Sequence, residues 1–299
     1  MRELELGLAN PFFEGKTLIV AFEGWNDAAE GASGLLKHLV SELDADLIAA
    51  VDPEDYYDFQ FSRPTVSNDE DGQREINWPG AEILRSSKAA AEENPRFADL
   101  FFLVGNEPAR RWKSFSAEIM EFIEDCEIDR VIFLGAVPSD SPHTRSIKVS
   151  RSSQSAIIRR QLAIEPSEYE GPVGIISVLA MSLEEAGIPS VALWAPVPHY
   201  VHNSPSPKAT LSLLIELETL LGLQFNHGTL GDDAFAWERG IDELAENDED
   251  LAAYVSQLES ARDAADESAG SAESLALEFE KFLAQEDGSS DSGEKNLGN

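Results

Sequence analysis

The chain has 299 residues, 42% of them hydrophobic, and sets 56 acidic side chains against 22 basic ones for a formal charge of −34. That apolar share suffices for a sizeable core, and a charge of this sign and size repels nucleic-acid phosphates and anionic lipid, so neither is expected as a partner. One cysteine, Cys126, excludes an internal disulfide; no apolar window is long enough to span a membrane and no signal-peptide pattern opens the chain, so a cytoplasmic location is expected.

Lys16 to Phe22 is a continuous apolar run, the mark of a strand buried on both faces of a parallel sheet. Gly24-Trp25-Asn26-Asp27 then turns into a helical pattern carried by Leu35, Leu36, Leu39, Val40 and Leu43. Asp27 and Glu30 stand three apart, close to a capping box with Asp27 as the cap. The same loop also qualifies to line a crevice, with Trp25 as an aromatic face and Asn26 as an amide. Asp46 to Val51 reads as a second strand, followed by Asp55-Tyr56-Tyr57-Asp58 and Arg63, residue types that anchor contacts and suit either a site or an interface. Gln73 to Trp78 and Ala81 to Ser86 flank Pro79-Gly80, whose type II turn predicts a β-hairpin.

The buried-strand pattern resumes at Asp99 to Val104, and Gly105-Asn106-Glu107-Pro108 leads into a helix from Ala109 to about Glu124, with Pro108 near its start. Cys126 falls on this amphipathic stretch and reads as a core residue. Arg130 to Leu134 repeats the strand form ahead of a rigid polar loop holding Pro138, Pro142, His143 and Arg145. Helical patterns follow from Ser152 to Leu162 and, after a turn at Tyr169-Glu170-Gly171-Pro172, to about Ala186. Gly187 to Trp194 is another short buried strand. The loop after it is stiffened by Pro196, Pro198, Pro205 and Pro207, carries His199, Tyr200 and His202, and opens a helix at Lys208.

Four loops, around Asp27, Glu107, His143 and His199, thus follow strands at their carboxyl ends. In a parallel sheet they gather on one edge, where open α/β folds place ligands. Asp27 and Glu107 are the candidate carboxylates and His143 and His199 the candidate acid-base groups; Trp25, Asn26, Tyr56, Tyr57, Arg145, Tyr200 and Lys208 complete a surface for a ligand or a partner. Arg145 and Lys208 near a helix start also suit an anion. Walker, dinucleotide-binding, Gly-x-Ser-x-Gly and His-Glu-x-x-His motifs are all missing, and the histidines lack a matching carboxylate spacing, so no cofactor and no metal are expected.

Beyond about Asn226 the composition turns acidic and alanine-rich. The expected organisation is an α/β domain over 1–226, an acidic helical extension over 227–285 with segments at Gly231 to Leu244, Asn247 to Asp266 and Ser271 to Ala284, and a disordered tail over 286–299.

Gly24-Trp25-Asn26-Asp27-Ala28, Asp55-Tyr56-Tyr57-Asp58, Gly105-Asn106-Glu107-Pro108, Leu134-Gly135-Ala136 with Pro142-His143-Thr144-Arg145, Tyr169-Glu170-Gly171-Pro172 and Val197-Pro198-His199-Tyr200-Val201 with Pro205-Ser206-Pro207-Lys208 together resemble the PAC2 family, in its actinobacterial branch. The resemblance covers about residues 1–226. It implies a three-layer α/β sandwich with a mostly parallel central sheet, similar to phosphorylases and hydrolases, and it implies self-association into a homo-oligomer. Eukaryotic chaperones of this type are similar to other proteasome activators in docking through a C-terminal hydrophobic-tyrosine-any tripeptide. This sequence reads Asn296-Leu297-Gly298-Asn299 there, so docking by that route is not expected. Two functions stay open at this point: a non-catalytic assembly or scaffold factor like the proteasome assembly chaperones, and a small-molecule hydrolase or phosphorylase-like enzyme using the strand-end crevice.

Overall fold

In strand β1 (Thr17–Glu23) every residue from Thr17 to Phe22 is buried. Alternate side chains serve opposite faces of the sheet: Ile19 and Ala21 enter one apolar layer, Leu18, Val20 and Phe22 the other. A strand with two buried faces belongs in the middle, and β1 is there. The computed structural model describes residues 12, 14–69, 72–167, 169–201 and 204–267.

After β1 come α1 (Gly31–Glu42), β2 (Asp46–Ala50), the short α2 (Pro53–Tyr56), β3 (Thr65–Asn68), β4 (Arg74–Asn77), β5 (Ala81–Arg85) and α3 (Lys88–Glu93). The chain continues through β6 (Leu100–Asn106), α4 (Trp112–Asp125), β7 (Arg130–Ser139), β8 (Ser150–Ser152), α5 (Ala156–Gln161), α6 (Ile175–Ala186), β9 (Ser190–Pro198), α7 (Pro207–Leu221) and α8 (Leu230–Glu246). Seven strands form the central sheet in the order β2-β5-β6-β1-β7-β9-β8. The inner four, β6, β1, β7 and β9, run parallel, while β5, β2 and β8 join antiparallel at the flanks.

Helices cover both faces, which makes three layers. On one side Leu35, Leu36 and Leu39 of α1 pack with Leu213, Leu214 and Leu217 of α7; on the other, Phe115, Ile119 and Ile123 of α4 pack with Ile175, Leu179 and Leu183 of α6. Helix α7 shows why its ends fall where they do. Pro207 occupies the first turn, the Ser206 hydroxyl accepts the Ala209 amide, and Gly222 closes the helix in the left-handed region at φ 59°.

One expectation is corrected. Gln73 to Trp78 and Ala81 to Ser86 do not form a hairpin across Pro79-Gly80. Segment β4 pairs back with β3 in a separate two-stranded sheet, and β5 enters the main sheet beside β6, with Ala81 opposite Gly105. The burial pattern explains the parting. Ala81, Ile83 and Leu84 are apolar enough for a buried sheet, whereas all four residues of Arg74-Glu75-Ile76-Asn77 are exposed. The Gly80 carbonyl accepts the Asn106 amide at 2.8 Å and so fixes the start of β5 against the end of β6.

The chain divides into two compact units, residues 1–243 and 244–299. Within the second, residues 249–267 are helical. The expected segment Ser271 to Ala284 and the tail 286–299 lie outside the described residues, as does His202.

Candidate functional site at the carboxyl ends of the strands

Because β1, β6, β7 and β9 are parallel, the loops around Asp27, Glu107, His143 and His199 leave the sheet at the same edge. There they fall into two polar clusters.

The first joins Asn26, Asp27 and Glu107. Asp27 is buried, and its Oδ1 accepts the amides of Ala32 and Ser33 at 2.9 and 3.0 Å. It therefore caps α1 as expected, but the helix begins one turn further on. A 3-10 turn, Ala28–Glu30, intervenes, with Ala29 and Glu30 at positive φ. The reciprocal half of a capping box is replaced, since the Asp27 amide donates to the Gly24 carbonyl at 3.1 Å. Burial raises the Asp27 carboxyl above its ordinary range, helped by the nearby Glu23 and opposed by the two amides.

Glu107 plays the matching part on the other face of the sheet. Its Oε1 accepts the Ile175 amide at 2.8 Å and caps α6. Gly174 permits this approach: a Cβ there would lie 2.2 Å from Asn26 Nδ2 and 2.8 Å from Glu107 Oε1. Beside them Glu23 accepts from Asn106 Nδ2 at 3.0 Å and pairs with Lys37 at 2.7 Å.

The second cluster joins His143, His199, Tyr200 and Lys208 to helix α8. His143 is 1% exposed. Its Nδ1 and its backbone N–H both lie 2.8 Å from Tyr200 Oη, and its Nε2 lies 3.1 Å from Asp242 Oδ1. Tyr200 Oη accepts the backbone amide, and the two ring nitrogens are taken up by Tyr200 Oη and Asp242 Oδ1. Lys208 Nζ donates to the His143 carbonyl and pairs with Glu238 Oε1 at 2.9 Å. The ammonium is thus committed within the protein, and at the start of α7 the Ala209 amide donates to the Ser206 hydroxyl. His199 is half-buried and pairs with Asp140 at 3.3 Å. Arg145, half-buried on the His143 loop, donates to Thr144 Oγ1 at 3.3 Å.

Tyr56 and Tyr57 do not contribute rings to a loop surface; both are buried. Tyr56 packs edge-on against Phe115 with ring centroids 5.3 Å apart, and Tyr57 lies in the same apolar layer. Their hydroxyls donate to Glu118 Oε2 at 2.7 Å and to the Asn106 carbonyl at 2.9 Å, and the Arg111 guanidinium lies over the Tyr56 ring, 5.6 Å from its centroid. Burial, then the bond to Glu118, pushes the Tyr56 phenol up to about 12, and burial alone raises Tyr57. Cys126 packs against this layer as well, and burial raises its thiol.

Trp25 is the residue of the expected set that stands out into solvent, at 68% exposure. Tyr169 and Val173, on the loop that reaches Gly174, are exposed too. Asp242 and Glu238 escaped the sequence reading. They stand four apart and so share one face of α8, but in so acidic a segment that spacing recurs too often to single them out.

Among the described residues, three cavities lie apart from the candidate carboxylates and imidazoles. One of about 350 Å³ opens at the amino ends of the strands between Thr17, Arg96, Asp99 and Leu100; one of about 620 Å³ lies between α7 and α8 along Leu211, Ile215, Phe235 and Lys208; a third, of about 30 Å³, is bounded by Ser152, Ser177 and Trp194. None of the three is lined by Asp27, Glu107, His143 or His199. Among the described residues no group of three or more His, Cys, Asp or Glu side chains is placed to hold a metal ion, and no helix is long and apolar enough to cross a membrane.

This pairing identifies His143 as a latch between the β7 loop and α8. Replacing it with alanine is expected to speed amide exchange in 230–246 by about tenfold, since a part-buried pair of hydrogen bonds contributes roughly 1–2 kcal/mol to local stability. Hydrogen exchange read by mass spectrometry checks this, and unchanged protection of α8 counts against the latch.

Fold and site together define a three-layer α/β protein whose strand-end loops are locked by capping carboxylates and a buried histidine. The PAC2 family model matches residues 21–245, and the chain belongs to the PAC2 family. Among solved structures it is similar to a PAC2 family protein from Streptomyces avermitilis, with 40% identity, a TM-score of 0.71 and coverage of 80% of this chain and 99% of that one. A proteasome-assembly chaperone homologue from Mycobacterium tuberculosis matches at 38% identity and TM-score 0.70, with the same coverages. A protein of unknown function from Corynebacterium glutamicum matches at 28% identity and TM-score 0.71, covering 84% of this chain and 91% of that one. No curated protein matches the chain.

Proposed function

We propose that this protein is an assembly factor of the proteasome-assembly-chaperone type, non-catalytic and working as a homo-oligomer whose strand-end face receives a protein partner. The observation that carries this reading is the employment of the candidate chemical groups. Asp27 and Glu107 each cap a helix, and His143 is enclosed between Tyr200 and Asp242. A catalytic acid or base needs a free lone pair or proton facing a substrate. The same edge also presents exposed aromatic and apolar side chains, Trp25, Tyr169 and Val173. Exposed apolar side chains grouped at one edge are a docking feature. The 38% identity to a proteasome-assembly chaperone homologue supports the same reading.

The test is native mass spectrometry of the full chain with unassembled proteasome α and β subunits from the same source. A discrete complex is expected, with affinity falling about tenfold or more in Trp25→Ala, as for an aromatic anchor at an interface. Absence of any complex, together with turnover on a panel of glycosides, nucleosides and amides that vanishes in Asp27→Asn, would put the enzyme reading first.

A further inference from the structure

Among the described residues, the Asn26 carboxamide meets no hydrogen-bond partner, although Asn26 is only 8% exposed. Its neighbours Glu23, Asp27 and Glu107 are all engaged. A buried amide left unmet weighs against folding, and such a departure from full satisfaction is characteristic of places where a ligand supplies the missing bonds.

The carboxamide has a definite neighbourhood. The position that a Cβ on Gly174 would take lies 2.2 Å from Asn26 Nδ2 and 2.8 Å from Glu107 Oε1, so the amide stands beside the Glu107 carboxylate at the start of α6. Glu107 uses Oε1 for the Ile175 amide, and its Oε2 meets no donor among the described residues. A Cβ on Gly24 would lie 3.7 Å from Glu107 Cβ, which brings the backbone leading into Trp25 to the same spot. The Trp25 indole itself is 68% exposed. A carboxylate oxygen, an amide group and an indole are thus gathered with their partners still to come.

The local charge decides what they suit. Glu23 is paired with Lys37, so Glu107 sets the sign. It brings a full negative charge to a helix end worth about half a positive one, and the spot stays negative. An anion is disfavoured there and a cation favoured. None of the three cavities is lined by Asn26 or Glu107, so the place suits the tip of a long side chain rather than a whole small molecule. Of the two cationic tips, a guanidinium has the matching shape. Its planar fork donates to a carboxylate and an amide oxygen at once, and its flat face lies well on an indole. An ammonium has neither the fork nor the plane.

We infer that Glu107, Asn26 and Trp25 form a socket for an arginine side chain presented by the protein partner. The inference rests on the strand-end docking face proposed above and adds the chemistry that this face selects. A formal charge of −34 draws basic surfaces toward the molecule from any side, and the socket fixes which residue is held and where.

The full chain, isotope-labelled at its five tryptophans, is titrated with N-acetyl-arginine amide and followed by NMR at the indole signals, with that of Trp25 assigned from Trp25→Phe. Salt at about 0.15 M damps the general attraction of cations to an acidic protein. The Trp25 signal is expected to shift and saturate with a Kd on the order of a millimolar, fitting for one side chain. N-acetyl-citrulline amide, close in shape and uncharged, is expected to leave it in place. Glu107→Gln keeps an oxygen for the Ile175 amide but loses the charge, and Asn26→Leu keeps the bulk but loses the amide. Each is expected to weaken arginine-amide binding about tenfold or more. Asn26→Leu is also expected to raise the thermal midpoint by about 2–4 °C, because it removes an unmet buried group.

No shift at Trp25, or an equal shift in both variants, overturns the socket; if the proteasome subunits still bind, the docking face stands without it. A saturating shift lost in both variants, with no complex formed by those subunits, supports the socket and removes the assembly reading.

Discussion

Gly105→Ala is expected to lower the free energy of unfolding by about 3 kcal/mol, at the upper end of what forced overpacking costs. A Cβ at this position would lie 2.1 Å from the Gly80 carbonyl oxygen and 2.6 Å from Ala81 Cα. Both obstacles are backbone, so no rotamer change relieves them and β5 must move off β6. The displacement also strains the Asn106 amide bond to Gly80 and, through Asn106, the carbonyl that Tyr57 grips. In a domain of this size the midpoint of thermal unfolding should fall by about 6–12 °C. Gly80→Ala is the control, because a Cβ there meets nothing within 4 Å. Equal midpoints for the two variants would refute the steric account.

Asp27→Ala is expected to cost about 2–4 kcal/mol, because the Ala32 and Ser33 amides are buried and would lose their acceptor. Asp27→Asn keeps an oxygen and should cost less. The pair also carries a pH signature. Burial raises the Asp27 carboxyl in the folded state, so the folded protein holds this proton more tightly than the unfolded chain does. Ionised Asp27 therefore weighs against folding above the raised pKa, and that weight lifts as pH falls through it toward the ordinary carboxyl value. Wild type should gain stability relative to Asp27→Asn between neutral and mildly acidic pH. Urea unfolding of both proteins at several pH values in that interval measures the difference, and a constant offset would show that Asp27 titrates normally.

The strands buried on both faces announced themselves in the sequence. Lys16 to Phe22, Asp99 to Val104, Arg130 to Leu134 and Gly187 to Trp194 are apolar runs that have only one home, and they lie within or overlap the four parallel strands β1, β6, β7 and β9. The convergence of their loops followed from that alone. What stayed hidden depended on tertiary pairing. Pro79-Gly80 has turn chemistry, yet the two segments it separates differ in burial, and the partner of each is set by register with β6 and β3 rather than by the turn. Tyr56 and Tyr57 carry the residue types of an interface, and nothing local distinguishes an aromatic pair on a surface from one whose rings fill the gap beside Phe115. His143 looked like a loop histidine because its enclosing partners, Tyr200 and Asp242, are 57 and 99 residues away. Asp27 was legible as a cap but not the turn at Ala28–Glu30 that moves its donor amides onward to Ala32 and Ser33, since that turn needs two non-glycine residues at positive φ.

The position of β1 bears on how the chain comes off the ribosome. Its neighbours in the sheet are β6 and β7, which begin about 80 and 110 residues later, while the strand that follows it in sequence belongs to the far edge. At ordinary translation rates β1 waits roughly 4–16 s for its first partner, with its apolar run unpaired. Long-range pairing of this kind folds slowly and leaves a nascent segment prone to wrong contacts. The first strand among the described residues is therefore one that needs shelter during synthesis.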